Sequence, residues 1–159
     1  MDLDMIFYKA NTKATFVPKM LPSYINILPS QKVVHHMVPR DAHSNSGHNK
    51  ILSITVPAYK VEDYLKQCLD SFLAEDILDD LEILVIDDGS PDQSKLIAET
   101  YQAKFPHSFR LISKENGGHG SAVNRGIAEA SGKYFKVVDG DDWVDSQALA
   151  NLVRWLKQT

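Results

Sequence analysis

The chain has 159 residues, of which 43% are hydrophobic and 24% charged, the length and mix of one globular domain or one domain with a tail. No run of about 18 apolar residues is present, which excludes a membrane-spanning helix, and no basic-then-apolar leader with a small-residue cleavage site opens the chain. The single cysteine, Cys68, excludes an intramolecular disulfide and a Cys-rich zinc site, and the net charge of −4 argues against a general nucleic-acid binder.

The charge is unevenly spread. Residues 1–50 carry six Lys/Arg against three acids, a net +3, and residues 51–159 carry eleven against eighteen, a net −7. Four of the six histidines (His35, His36, His43 and His48) lie in the first part, as do Pro18, Pro22, Pro29 and Pro39. These prolines would interrupt helices and central strands. The polar run from Asp41 to Lys50 reads as a linker. Residues 1–50 are therefore expected to be an N-terminal extension, mostly irregular. No further ligand recurs at helical spacing around His35 and His36, so they read as solvated histidines.

From Ile51 onward the pattern is regular. Ile51–Val56 is a short, β-branched apolar run and predicts a buried strand, ended by Pro57 and Tyr59. Val61, Tyr64, Leu65, Cys68, Leu69, Phe72 and Leu73 then follow at helical spacing and predict one apolar helix face. Cys68 falls on that face and reads as a small core residue. Leu81–Ile86 predicts a second strand. It stops at Asp87-Asp88-Gly89, and Ser90-Pro91-Asp92-Gln93 predicts a helix start with a capping box. Leu96, Ile97, Tyr101 and Phe105 would face inward from that helix.

Phe109–Ile112 predicts a third strand, Asn116–Gly120 a turn, and Ala122, Val123, Gly126, Ile127 and Ala130 the inner face of a third helix closed by Gly132. Tyr134–Val138 predicts the fourth strand. Asp145 is placed to cap a last helix with Leu149, Leu152, Val153 and Leu156 inward. Strands alternating with helices at this spacing predict an α/β fold, a mainly parallel sheet with helices on both faces. Ligands in such sheets bind beyond the carboxyl ends of the strands.

Four strand ends converge there: Pro57-Ala58-Tyr59, Asp87-Asp88, Lys114-Glu115-Asn116 and Asp139-Gly140-Asp141-Asp142. Gathered carboxylates repel one another unless a cation or a proton intervenes. A hard divalent cation, Mg²⁺ or Mn²⁺, suits one or two carboxylates completed by substrate phosphates. Aspartates are also common turn formers and helix caps; two clusters, each closing a predicted strand, favour the ligand reading. Neither a dinucleotide-binding glycine fingerprint nor a P-loop is present. Asn116-Gly117-Gly118 before a helix fits a turn, or a backbone approach to a phosphate or sugar. His119 reads as a loop histidine within reach of such a ligand.

Four segments carry a resemblance. Ser53–Tyr59, Glu82–Ser90, Glu115–Gly126 and Gly132–Asp142 occur in the order and spacing of family 2 glycosyltransferases. The resemblance covers residues 51–159 and implies a Rossmann-like GT-A nucleotide-sugar-binding half. It implies an inverting enzyme that takes a nucleotide-sugar donor, commonly a UDP-sugar, and delivers the sugar to a glycan or lipid-linked acceptor in polysaccharide or cell-wall glycan synthesis. It implies a cytoplasmic location, free or at the inner face of the membrane. By the resemblance, Pro57, Ala58, Tyr59 and Asp88 contact the base, Asp139 lies near the ribose or metal, and Asp141 ligates Mg²⁺ or Mn²⁺. Asp87 and Asp142 are neighbouring candidates. The family's catalytic base lies downstream of the D-x-D, so it is expected beyond Thr159 and the domain is expected to be C-terminally truncated. Val123 stands where many relatives have arginine, so no arginine role transfers. Three other readings are a sugar-phosphate nucleotidyltransferase, a signalling receiver domain and a non-catalytic nucleotide-binding module. The first lacks its glycine-rich loop near the first strand, and the second lacks an acid pair after that strand.

Overall fold

The computed structural model describes residues 16–18, 50–74 and 76–159. Phe16–Pro18 form a short strand, β1. Pro18, expected to interrupt central strands, ends this edge strand, and the rest of the expected extension, with Pro22, Pro29, Pro39, the four histidines and all of the linker but Lys50, lies outside the described residues. From Lys50 the elements follow the expected alternation: β2 (Leu52–Ala58), α1 (Glu62–Asp70), β3 (Leu81–Asp87), α2 (Ser94–Lys104), β4 (Phe109–Ser113), α3 (His119–Glu129), β5 (Tyr134–Val137) and α4 (Ser146–Gln158).

The sheet has the order β1-β5-β2-β3-β4. The strands from β2 to β5 pair in parallel, and β1 adds antiparallel at the β5 edge. All seven residues of β2 are buried, as expected of a parallel strand covered on both faces. Leu65 and Leu69 of α1, Leu149 and Val153 of α4, and Ile54 and Val56 share one core layer. Ala122 of α3 packs with Leu84, Ile86 and Phe135 on the opposite face.

Pro57 lies inside β2 rather than ending it. The β2–β5 pairing stops at Thr55↔Val137, where Pro57 has no N–H to continue it. The Pro57 carbonyl still accepts from Gly140 N at 3.2 Å.

Three side chains expected inside are outside: Tyr64, Leu96 and Ile127 are 51%, 57% and 52% exposed. Each sits at the margin of its helix's apolar stripe. The helix start expected at Ser90 falls at Ser94, which turns Ser94, Ala98 and Tyr101 inward. Gly132 does not close α3 in a left-handed conformation, since among the described glycines only Gly89 and Gly118 have positive φ. It is there for close approach: a Cβ would stand 2.6 Å from Ser53 N. Asp145 caps α4 as expected, accepting from Ala148 N at 2.7 Å. No helix among the described residues is long and apolar enough to cross a membrane.

Gly126 sets how closely α3 approaches the sheet, because a Cβ there would collide with the Thr55 side chain. Alanine ordinarily stabilises a helix interior by about 1 kcal/mol over glycine. Gly126→Ala should instead destabilise by about 1–3 kcal/mol through overpacking. Adding Thr55→Ala should recover most of that loss; denaturant midpoints of both variants test the contact.

Candidate functional site

The chain leaves β2 toward β3 and β4, then returns through α3 to place β5 on the other side of β2. The strand order thus reverses between β2 and β5, and ligands of open α/β sheets bind at the carboxyl ends beside such a reversal. A cleft of about 460 Å³ lies there. Pro57, Ala58 and Tyr59 line it from β2, Asp88 from the end of β3, Asn116 from the loop before α3, and Asp139, Gly140 and Asp141 from beyond β5. Sequence reasoning did not place Val61 or Ala122 in the site, left Gly118 between a turn and a backbone approach to ligand, and favoured a loop role for His119; all four line the cleft. Their position depends on where α1 and α3 begin, which strand-end patterns do not reveal.

The two neighbouring aspartates after β3 differ. Asp87 is buried and does not line the cleft; its Oδ1 accepts from Ser90 N at 2.9 Å and shapes the turn. Asp88 is 2% exposed. Its Oδ1 accepts from Lys114 Nζ and from Gly117 N at 2.9 Å, and its Oδ2 from Gly118 N at 2.8 Å. Burial pushes its pKa up, but these hydrogen bonds and the Lys114 charge outweigh burial and hold it below the usual carboxylate range. Gly117 therefore acts through its N–H to Asp88 rather than as part of the cleft wall.

Asp139 faces the cleft and pairs through Oδ1 with His119 Nε2 at 2.7 Å. Its backbone is pinned from below, the carbonyl accepting from Asp142 N at 2.9 Å and facing the Cys68 thiol at 3.7 Å. Cys68 is fully buried, and burial together with the charges of Asp142, Asp141 and Asp139 pushes its thiol up. It is a core residue, not a nucleophile. Asp141 is exposed at the cleft edge. Among the described residues no three His, Cys, Asp or Glu side chains gather as a metal cage. Asp139 and Asp141, two aspartates on an open cleft, could hold a cation that takes its other ligands from water and phosphate.

The loops after β2 and β3 cap each other's helices. Before α1, Lys60 N donates to Ser90 Oγ at 2.8 Å, Val61 N to Ser94 Oγ at 3.1 Å and Glu62 N to Asp92 Oδ2 at 3.2 Å. In return Gln93 N, at the start of α2, donates to Glu62 Oε2 at 2.7 Å. The capping box expected within Ser90–Gln93 is thus replaced by caps between loops. The same clamp holds Lys60 at φ 55, a left-handed conformation unusual for a side-chain-bearing residue, directly beside Tyr59.

A family model described as glycosyl transferase family 2 matches residues 53–159. The chain belongs to family 2 of the glycosyltransferases. Membership sets aside the receiver and nucleotidyltransferase readings. EpsJ of Bacillus subtilis, named an uncharacterized glycosyltransferase, is 44% identical over 108 residues, 68% of this chain and 31% of EpsJ. The crystal structure of residues 1–349 of Staphylococcus aureus TarS with UDP-GlcNAc is similar at 29% identity and TM-score 0.60, covering 68% of this chain and 31% of that fragment. A mannosyltransferase from Pyrobaculum calidifontis, solved with GDP-Man and Mn²⁺, matches at 25% identity and TM-score 0.59, covering 69% of this chain and 33% of that one. The chain spans about a third of the length of these relatives.

In this family 2 domain the inter-loop clamp has a measurable signature. Burial raises the pKa of Asp92, but hydrogen bonds from Ser90, Ser94 and Glu62 outweigh it and lower it to about 2. A folded-state pKa below the unfolded value gives stability that is complete above the unfolded value and lost as pH falls. Discounted for partial exposure, the loss should be on the order of 1–2 kcal/mol between about pH 4 and pH 2. Asp92→Asn should remove that part of the acid dependence, read from urea midpoints against pH.

Proposed function

We propose that residues 51–159 are the donor-binding half of an inverting glycosyltransferase that uses a nucleoside-diphosphate sugar, a UDP-sugar first, and glycosylates the hydroxyl of a glycan or lipid-linked acceptor. The observation that carries this reading is the cleft at the switch between β2 and β5, walled by Tyr59 on one side and edged by Asp139 and Asp141 on the other. The nucleotide-sugar complexes of the TarS and mannosyltransferase structures support it.

In this reading the half-exposed ring of Tyr59 offers a face to the base. Ala58 and Gly140 keep the floor low enough for the nucleotide to lie against backbone. Asp88 acts through the loop it holds, keeping Asn116–Gly118 at the cleft mouth. Asp139 and Asp141 would hold Mg²⁺ or Mn²⁺, both oxygen-seeking ions. When bound, the cation supplies Lewis-acid stabilisation of the charge developing on the diphosphate leaving group. The domain is proposed to work in the cytoplasm or at the inner membrane face.

Calorimetric titration of UDP, GDP and dTDP, each with and without Mn²⁺, tests the reading. One nucleotide should bind more tightly with Mn²⁺ than without it. Asp141→Ala should lower affinity in Mn²⁺ at least about 10-fold and leave the thermal melt in place, because its side chain is exposed. Equal binding with and without metal, or an unaffected Asp141→Ala variant, would overturn the metal assignment.

A further inference from the structure

We propose that His119 is a positioning residue of the donor site, holding the Asp139 carboxylate in the orientation that receives the cation. The inference rests on the donor-binding reading above and adds a residue to it.

The backbone of Asp139 is fixed independently of its side chain. Val138 N donates to Thr55 O at 3.0 Å and Gly140 N to Pro57 O at 3.2 Å, and Asp142 N closes the turn onto Asp139 O. None of these contacts sets the carboxylate's rotamer. Among the described residues, His119 is the hydrogen-bond partner of that carboxylate, at 2.7 Å. A partly exposed aspartate otherwise samples several rotamers, so one hydrogen bond from a fixed donor selects among them.

His119 is such a donor. It is the first residue of α3, and the loop before it is held by Asp88 through Gly117 N and Gly118 N. Gly118 takes φ 85, which brings the chain round so that the imidazole reaches across the cleft floor to the end of β5. A carboxylate that ligates a cation is oriented by its own hydrogen bonds, and loss of such a partner typically costs about 10–100-fold in metal affinity. Asp88 would thus govern Asp139 at one remove, through His119.

Calorimetry with the Mn²⁺-dependent nucleotide, on the whole 159-residue chain, tests this. His119→Ala should weaken binding in Mn²⁺ about 10-fold, leave metal-free binding and the thermal melt unchanged, and add nothing in an Asp139→Ala background. His119→Gln, whose amide nitrogen stands near the place of Nε2, should restore most of the affinity. Unchanged binding by His119→Ala overturns the proposal. So does a loss that persists in Asp139→Ala, which would make His119 a direct nucleotide contact. If the unaltered chain shows no Mn²⁺-dependent binding, the donor-binding reading and this inference fall together; if it does and the substitutions have no effect, only this inference falls.

Discussion

A carboxylate removed from water must be given hydrogen bonds or it gives up its charge. Asp88 meets that requirement with donors from one neighbouring loop: the Lys114 ammonium and the successive N–H groups of Gly117 and Gly118. Satisfying one buried aspartate at the end of β3 therefore folds the β4–α3 loop back over the sheet. The loop's sequence permits this. Gly118 adopts positive φ, and Gly89 packs so closely that a Cβ would lie 3.0 Å from Asn116 N. Where α3 starts, and which residue its first turn presents to the cleft, follow from that constraint.

The same logic divides the acids of the −7 region. Asp87 orders the turn after β3, Asp92 ties that turn to the start of α1, and Asp145 caps α4. Each accepts backbone N–H groups that helix ends and turns leave without partners. Asp139 and Asp141 differ, because they line an open cleft and no backbone N–H among the described residues is hydrogen-bonded to their carboxylates. Carboxylates that complete the fold and carboxylates left toward solvent look identical in sequence; they are distinguished only by which backbone groups the fold brings within reach.

This sets what could be read from the chain. The strand and helix order was legible because helix faces repeat every 3.6 residues and parallel strands covered on both faces read as short apolar runs. The Asp145 cap was legible because its partner lies three residues away. The Ser90–Gln93 capping box was not, because its Ser and Asp found partners some thirty residues back, before α1. Helical periodicity also marked Tyr64, Leu96 and Ile127 as inward without showing how wide each contact stripe is. The strand-end rule found eight of the cleft-lining residues because strand ends are placed by topology. It undervalued His119, whose role depends on the loop that Asp88 holds.

Topology also accounts for the empty volume. Parallel sheets covered on both faces are filled solid, and here β2 is buried along its whole length. A cavity must then come from the connections rather than from the core. The strand order reverses between β2 and β5, and small residues keep the space beyond their carboxyl ends from being filled. Ala58, Gly118, Ala122 and Gly140 all line the cleft, and a Cβ on Gly140 would stand 3.0 Å from both Pro57 O and Val61 Cγ2. The resulting 460 Å³ falls within the range of about 300–1,000 Å³ usual for small-molecule sites. The reversal of strand order makes the opening, and the short side chains preserve it. The cleft can then exist before any ligand arrives, with the Asp139 and Asp141 carboxylates already at one edge.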